Sequence, residues 1–147
     1  MNASRTRLGL LILLAAVTSS AWAGDCTPVV RDGWVRMPPM AMPMMAGFGR
    51  IENPCSMPVT VVSASSVAFG DVSLHETRVV DGVSRMRALP ELRIGAGESA
   101  VLKPGGMHLM LMQPGMALKP GSKVVVEFAL KGGGKLLGEF VVRSASD

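Results

Sequence analysis

Short runs of apolar residues, rather than a repeat at helical spacing, organise this chain. Apolar segments rich in Val, Ile and Leu recur at residues 29–37, 46–53, 59–65, 72–80, 83–89, 107–112, 123–131 and 136–143. Turn signals separate them: Asn53-Pro54, Asp81-Gly82, Gly95 with Gly97, Pro104-Gly105-Gly106, Pro114-Gly115, Pro120-Gly121 and Gly132 to Gly134. Many short strands at this spacing predict an all-β domain, a sandwich or a small barrel.

Two hairpins are legible. Residues 123–131 and 136–143 flank a glycine-rich tip and form a closing pair. The segments VSLHETRVV and VSRMRAL are joined by Asp81-Gly82, a strong signal for a two-residue type I′ turn. That turn sets a register in which Val80 faces Val83, Thr77 faces Met86 and His75 faces Ala88. His75 and Met86 then form a diagonal pair on one face, about 7 to 8 Å apart at the backbone. Leu74 points the other way, into the core. In LKPGGMHLMLM the same alternation puts His108, Met110 and Met112 on one face and Met107, Leu109 and Leu111 on the other.

The first residues change the count of what must fold. Arg5 and Arg7 precede an apolar run and an Ala21-Trp22-Ala23 site, the pattern of a secretory leader of residues 1–23, too short to be read as a membrane span. Residues 24–147 remain, enough for one domain with a real core. Asp25 before Cys26 does not suit a lipoprotein signal, which wants a small residue there, so a periplasmic protein without stable membrane insertion is expected. After the leader is removed, thirteen basic residues stand against eleven acidic ones, scattered along the chain. That balance gives no argument for a nucleic-acid partner. A monomer is expected. Cys26 and Cys55, in an oxidising compartment and lacking C-x-x-C spacing, read as a structural disulfide rather than a redox or metal pair.

The chain has only two histidines, His75 and His108, and each has a methionine on its own predicted face. Each pair is a half-site. If the halves meet, the donors are His75, Met86, His108 and Met110. Thioether sulfur is a soft neutral donor with little affinity for hard cations, so its combination with imidazole points to Cu(I) rather than zinc. Taken singly, each histidine or methionine is more often structural, methionine being a normal core filler; their combination is what points to a site.

The spacing H-x10-M-x21-H-x-M, together with LHET, MRAL and LKPGGMHLMLM, resembles the periplasmic copper chaperone family PCu(A)C over about residues 34–142. The resemblance implies a cupredoxin-like Greek-key β-sandwich or barrel that binds one Cu(I) through His75, Met86, His108 and Met110. It also implies delivery towards the dinuclear copper centre of a cytochrome oxidase, the partner being a copper-accepting oxidase subunit or another copper chaperone. A delivery protein should hold these neutral ligands near its surface.

A second stretch, MPPMAMPMM, carries Met37, Met40, Met42, Met44 and Met45 interrupted by three prolines. The prolines disfavour a central strand and predict an exposed, semi-extended loop. Its methionines are either a supplementary Cu(I) site or docking surface, or an apolar cover over the end of the fold. Met112 and Met116 have no assigned role. Blue-copper electron transfer would need a cysteine thiolate near the histidines. Hydrolytic catalysis would need a G-x-S-x-G or H-E-x-x-H pattern, and neither occurs. An enzyme is not expected. The remaining alternative is a metal-free, disulfide-stabilised periplasmic interaction module, which leaves the placement of both histidines unexplained.

Overall fold

The computed structural model describes residues 26–147, so the leader lies outside the described residues. Ten strands follow in order: β1 (Val29–Arg36), β2 (Met44–Glu52), β3 (Val59–Ser65), β4 (Phe69–Val80), β5 (Val83–Ala88), β6 (Leu92–Ile94), β7 (Ser99–Leu102), β8 (Met107–Pro114), β9 (Lys123–Leu130) and β10 (Lys135–Arg143). No helix occurs among the described residues. The strands hydrogen-bond in the order β5-β4-β8-β7-β2-β1-β10-β9-β3-β6, and β3 also pairs with β4. That pairing closes eight strands into a barrel and leaves β5 and β6 outside the circuit, each as an extra strand.

Alternation decides which side chains fill the barrel. Along β10, Leu136, Phe140 and Val142 are buried, while Leu137 and Glu139 face outward. Val35, Ile51, Val61, Leu109, Leu111, Val126 and Phe128 complete the centre of the core. Contiguous packing of this kind is the main favourable term for a domain of this size. Cys26 and Cys55 are disulfide-bonded with Cα atoms 5.6 Å apart, tying the start of the described chain to the β2–β3 connection.

Asp81 and Gly82 both have positive φ, 52° for the aspartate and 77° for the glycine, as a type I′ turn requires. The register follows: Val80 faces Val83, Thr77 faces Met86 and His75 faces Ala88. The β9–β10 hairpin forms as the alternation predicts, with Leu136 opposite Phe128.

Three expectations need correction. β2 begins at Met44 rather than at residue 46, so Met44 and Met45 are strand residues and only the segment from Met37 to Pro43 is loop. Met45 is buried in the core. The prolines end at Pro43, and from Met44 onward nothing prevents pairing with β8, where Met44 faces Met112 and Met45 faces Leu111. The other two are strands β6 and β7, which the sequence pattern did not predict. They span three and four residues, too few to show a period.

Candidate metal centre

Strand β4 lies between β5 and β8, and this position brings the two half-sites together. On one side His75 faces Ala88; on the other it faces His108, with Ser73 opposite Met110 and Leu74 opposite Leu109. Alternation sends Leu74, Leu109 and Leu111 into the core and His75, His108 and Met110 to the outer face of the barrel. Directly opposite residues share a face, so the two imidazoles are neighbours: their ring centroids are 6.0 Å apart and the rings are inclined by 24°. Ala88 beside His75 and Ala46 beside Met110 place small side chains at the two flanks.

The hydrogen bonds define which nitrogens are free. His108 Nδ1 lies 3.0 Å from the Gly106 carbonyl oxygen. A carbonyl only accepts, so Nδ1 carries the proton, and in the neutral ring Nε2 presents its lone pair. That Nε2 faces Met86 Sδ at 3.3 Å. In that neutral form two electron-rich donors converge without a proton between them. An ion bonded to imidazole nitrogen at about 2.0 Å and sulfur at about 2.3 Å would span that separation with an angle of about 100°, near a tetrahedral edge.

His75 is held through Nε2, which lies 3.0 Å from Ser73 Oγ. Its Nδ1 is buried without a hydrogen-bond partner. An unsatisfied buried polar atom costs on the order of 1–3 kcal/mol; an ion bound at that nitrogen would remove the deficit. Burial of the ring, with the neighbouring His108 second, lowers the His75 pKa below its ordinary 6.5 against a smaller raising pull from Asp71. Its neutral, ligating form is therefore favoured in the folded protein.

Exposure differs across the four residues. His108 is buried although it lies on the outer face, Met110 is half-buried and Met86 is 53% exposed. Met86 belongs to β5, an edge strand exposed along its whole length. His108, Met86 and Met110 line a cavity of about 510 Å³ that is mostly walled by methionine and proline. Glu76 points to the other face of the hairpin, where its carboxylate accepts from Arg87 at 2.9 Å and pairs with Arg78 at 2.8 Å. Hydrogen bonds from Arg87 and then Arg78 hold its carboxyl below the usual carboxylate range. It takes no part in the donor cluster.

Sequence reasoning did not find the supporting residues. Ser73 stands two positions before His75 on the same face, a placement that alternation could have revealed. The Gly106 carbonyl had no side-chain signal at all. Among the described residues, no three His, Cys, Asp or Glu side chains gather as a metal site. The donors in contact are instead an imidazole nitrogen of His108 and the thioether sulfur of Met86, a pair that suits a soft ion.

The family model described as "Putative lipoprotein LpqE-like" matches residues 29–142. A curated relative, "Putative lipoprotein Lxx21020" of Leifsonia xyli subsp. xyli (strain CTCB07), is 36% identical over 105 residues. That match covers 71% of this chain, which spans 62% of the relative's length. Among solved structures, the solution structure of CuI-DR1885 from Deinococcus radiodurans is similar with a TM-score of 0.63 and 25% identity, covering 85% of this chain and 83% of that one. The copper-bound PCuAC domain from PmoF2 has a TM-score of 0.63 at 15% identity, covering 78% of this chain and 91% of that one, a likeness of fold alone. With the family model matching well over half of its residues, this chain belongs to the LpqE-like family.

Proposed function

We propose that this protein is an exported, periplasmic copper chaperone that binds one Cu(I) through His75, Met86, His108 and Met110 and passes it to a copper-accepting protein. The observation that carries this reading is the convergence of the bare His108 Nε2 on Met86 Sδ at 3.3 Å, beside the partnerless Nδ1 of His75. The copper-bound neighbours of the same fold support it. An oxidase subunit carrying a dinuclear copper centre, or another copper chaperone, is the proposed recipient. The protein acts as a monomeric carrier, not as an enzyme.

The chemistry of the donors suits a carrier. All four are neutral, so no cysteine thiolate is at risk in an oxidising compartment and none must be protonated for copper to leave. Met86, the most exposed of the four, sits on a free edge strand, where a recipient's donor can replace it while the histidines still hold the ion. His75, kept neutral by burial, needs no proton removed at neutral pH.

The leader-bearing sequence and the lipoprotein names of the relatives both suit export. In this chain the sulfur of Cys26 is engaged with Cys55 and is not available for a lipid thioether while that bond holds.

The test is a titration of the purified protein with Cu(I) against a competing chelator, beside the double substitution His75→Ala with His108→Ala. Loss of the most tightly held equivalent in the double variant is expected. An affinity that ignores both substitutions would refute the reading, and so would the absence of any high-affinity binding.

A further inference from the structure

The loop MPPMAMP that precedes β2 is not needed to complete the four-residue cluster, yet it forms much of the wall of the same cavity. Met37, Met42 and Met44 line it together with Met86, His108 and Met110. Six of the lining positions are thus methionine once Met45 is included. Register gives one of these positions independently. Met44 faces Met112 and Ala46 faces Met110 across β2 and β8, so Met44 is the diagonal neighbour of Met110 on the outer face. Met37 and Met42 reach the cavity from the loop.

Packing accounts for only part of this arrangement. Met37 is partly buried and rests against the core, but Met42 is 47% exposed, and all three residues also border the cavity. Leaving several apolar side chains around a cavity forfeits contacts that a closed core would make. The loop is nevertheless held in place. Met37 N donates to the Arg143 carbonyl at 2.9 Å at one end, and Gln113 N donates to the Pro43 carbonyl at 2.8 Å at the other. Pro38, Pro39 and Pro43 fix their own φ between these two anchors. A loop restrained in this way loses little further freedom when its side chains close on a ligand.

We propose that Met37, Met42 and Met44 form a second soft-metal site, made of thioethers only, beside the His75, Met86, His108 and Met110 cluster. Three neutral sulfurs select Cu(I) or the similarly soft Ag(I) and disregard hard cations and zinc. Because Met86, His108 and Met110 line the same cavity as the loop methionines, an ion held by the loop stands next to an ion held by that cluster. The loop site is the weaker of the two, having no imidazole, and serves as the point of entry or exit for copper. This inference shares with the proposed function only the assumption of a soft-metal cargo.

The experiment measures the stoichiometry of Cu(I) at a fixed chelator concentration, and of Ag(I) in parallel, for three proteins. These are the unsubstituted protein, the triple substitution Met37→Leu, Met42→Leu and Met44→Leu, and the double substitution His75→Ala with His108→Ala. Leucine keeps the volume and apolarity of methionine and removes only the sulfur. Two equivalents are expected for the unsubstituted protein and one for each variant. X-ray absorption of the double variant should show sulfur neighbours and no imidazole nitrogen. A single equivalent in the unsubstituted protein that disappears with the histidines would overturn the second site. So would two equivalents that persist in the triple leucine variant. If the histidine substitutions change nothing while the leucine substitutions abolish binding, the loop site stands and the His-Met reading fails.

Discussion

Substituting Met86→Leu isolates the contribution of one sulfur. Met86 is 53% exposed on the edge strand β5, so leucine takes its place with little effect on the fold; surface exchanges of this kind usually stay within about 0.5 kcal/mol. What is lost is the Sδ atom 3.3 Å from His108 Nε2. Partners that only orient a ligand are already worth roughly 10–100-fold in metal affinity, so loss of a direct donor costs at least about tenfold, or about 1.4 kcal/mol. For a domain of roughly 120 residues, unfolding entropy near the midpoint is about 0.25 kcal/mol per degree. With free Cu(I) buffered well above the dissociation constant, a tenfold weaker site lowers the melting temperature of the loaded protein by about 5 to 6 °C. The metal-free melting temperature should move by no more than about 2 °C. The assay is thermal unfolding with and without chelator-buffered Cu(I). Equal stabilisation of both proteins by copper would show that Met86 is not a donor, and a matching fall in the metal-free protein would show that its role is packing.

Three further outcomes follow from the same geometry. Ser73→Ala removes the hydroxyl 3.0 Å from His75 Nε2; Cu(I) affinity by chelator competition should fall roughly 10–100-fold with metal-free stability nearly unchanged. The pKa of His75 is lowered on folding, so between its folded value and 6.5 the unfolded chain binds more protons. Metal-free stability should therefore decline as pH falls through 6.5 towards the folded value and then level off. Urea midpoints across this range should show that segment flattened by His75→Gln. Reduction of the Cys26–Cys55 bond, with a sequence separation of 29, should cost roughly 3 to 4 kcal/mol in urea unfolding on the chain-entropy account. The Cu(I) stoichiometry should survive reduction, because β4, β5 and β8 hold the donors through their own ladders.

Much of this protein was determined by its sequence within short windows. Asp81-Gly82 prescribes a turn whose dihedral angles set six facing pairs, and so the diagonal placement of His75 and Met86. Alternation alone separates His108 and Met110 from Leu109 and Leu111. These features are local: each depends on the dihedral angles and side-chain directions of a few consecutive residues.

The tertiary structure decided what stands next to what across the strands. That His75 faces His108, 33 positions further along, follows from β4 taking β8 as its second neighbour when the barrel closes. No turn connects those strands directly, so no residue near either histidine encodes the pairing. The same holds for Met44, whose place opposite Met112 comes from the β2–β8 ladder, and for the loop from Met37 to Pro43, whose anchors are supplied by β10 and β8. Non-local registers depend on which edges remain free and which apolar faces must meet, a property of the whole barrel rather than of any segment.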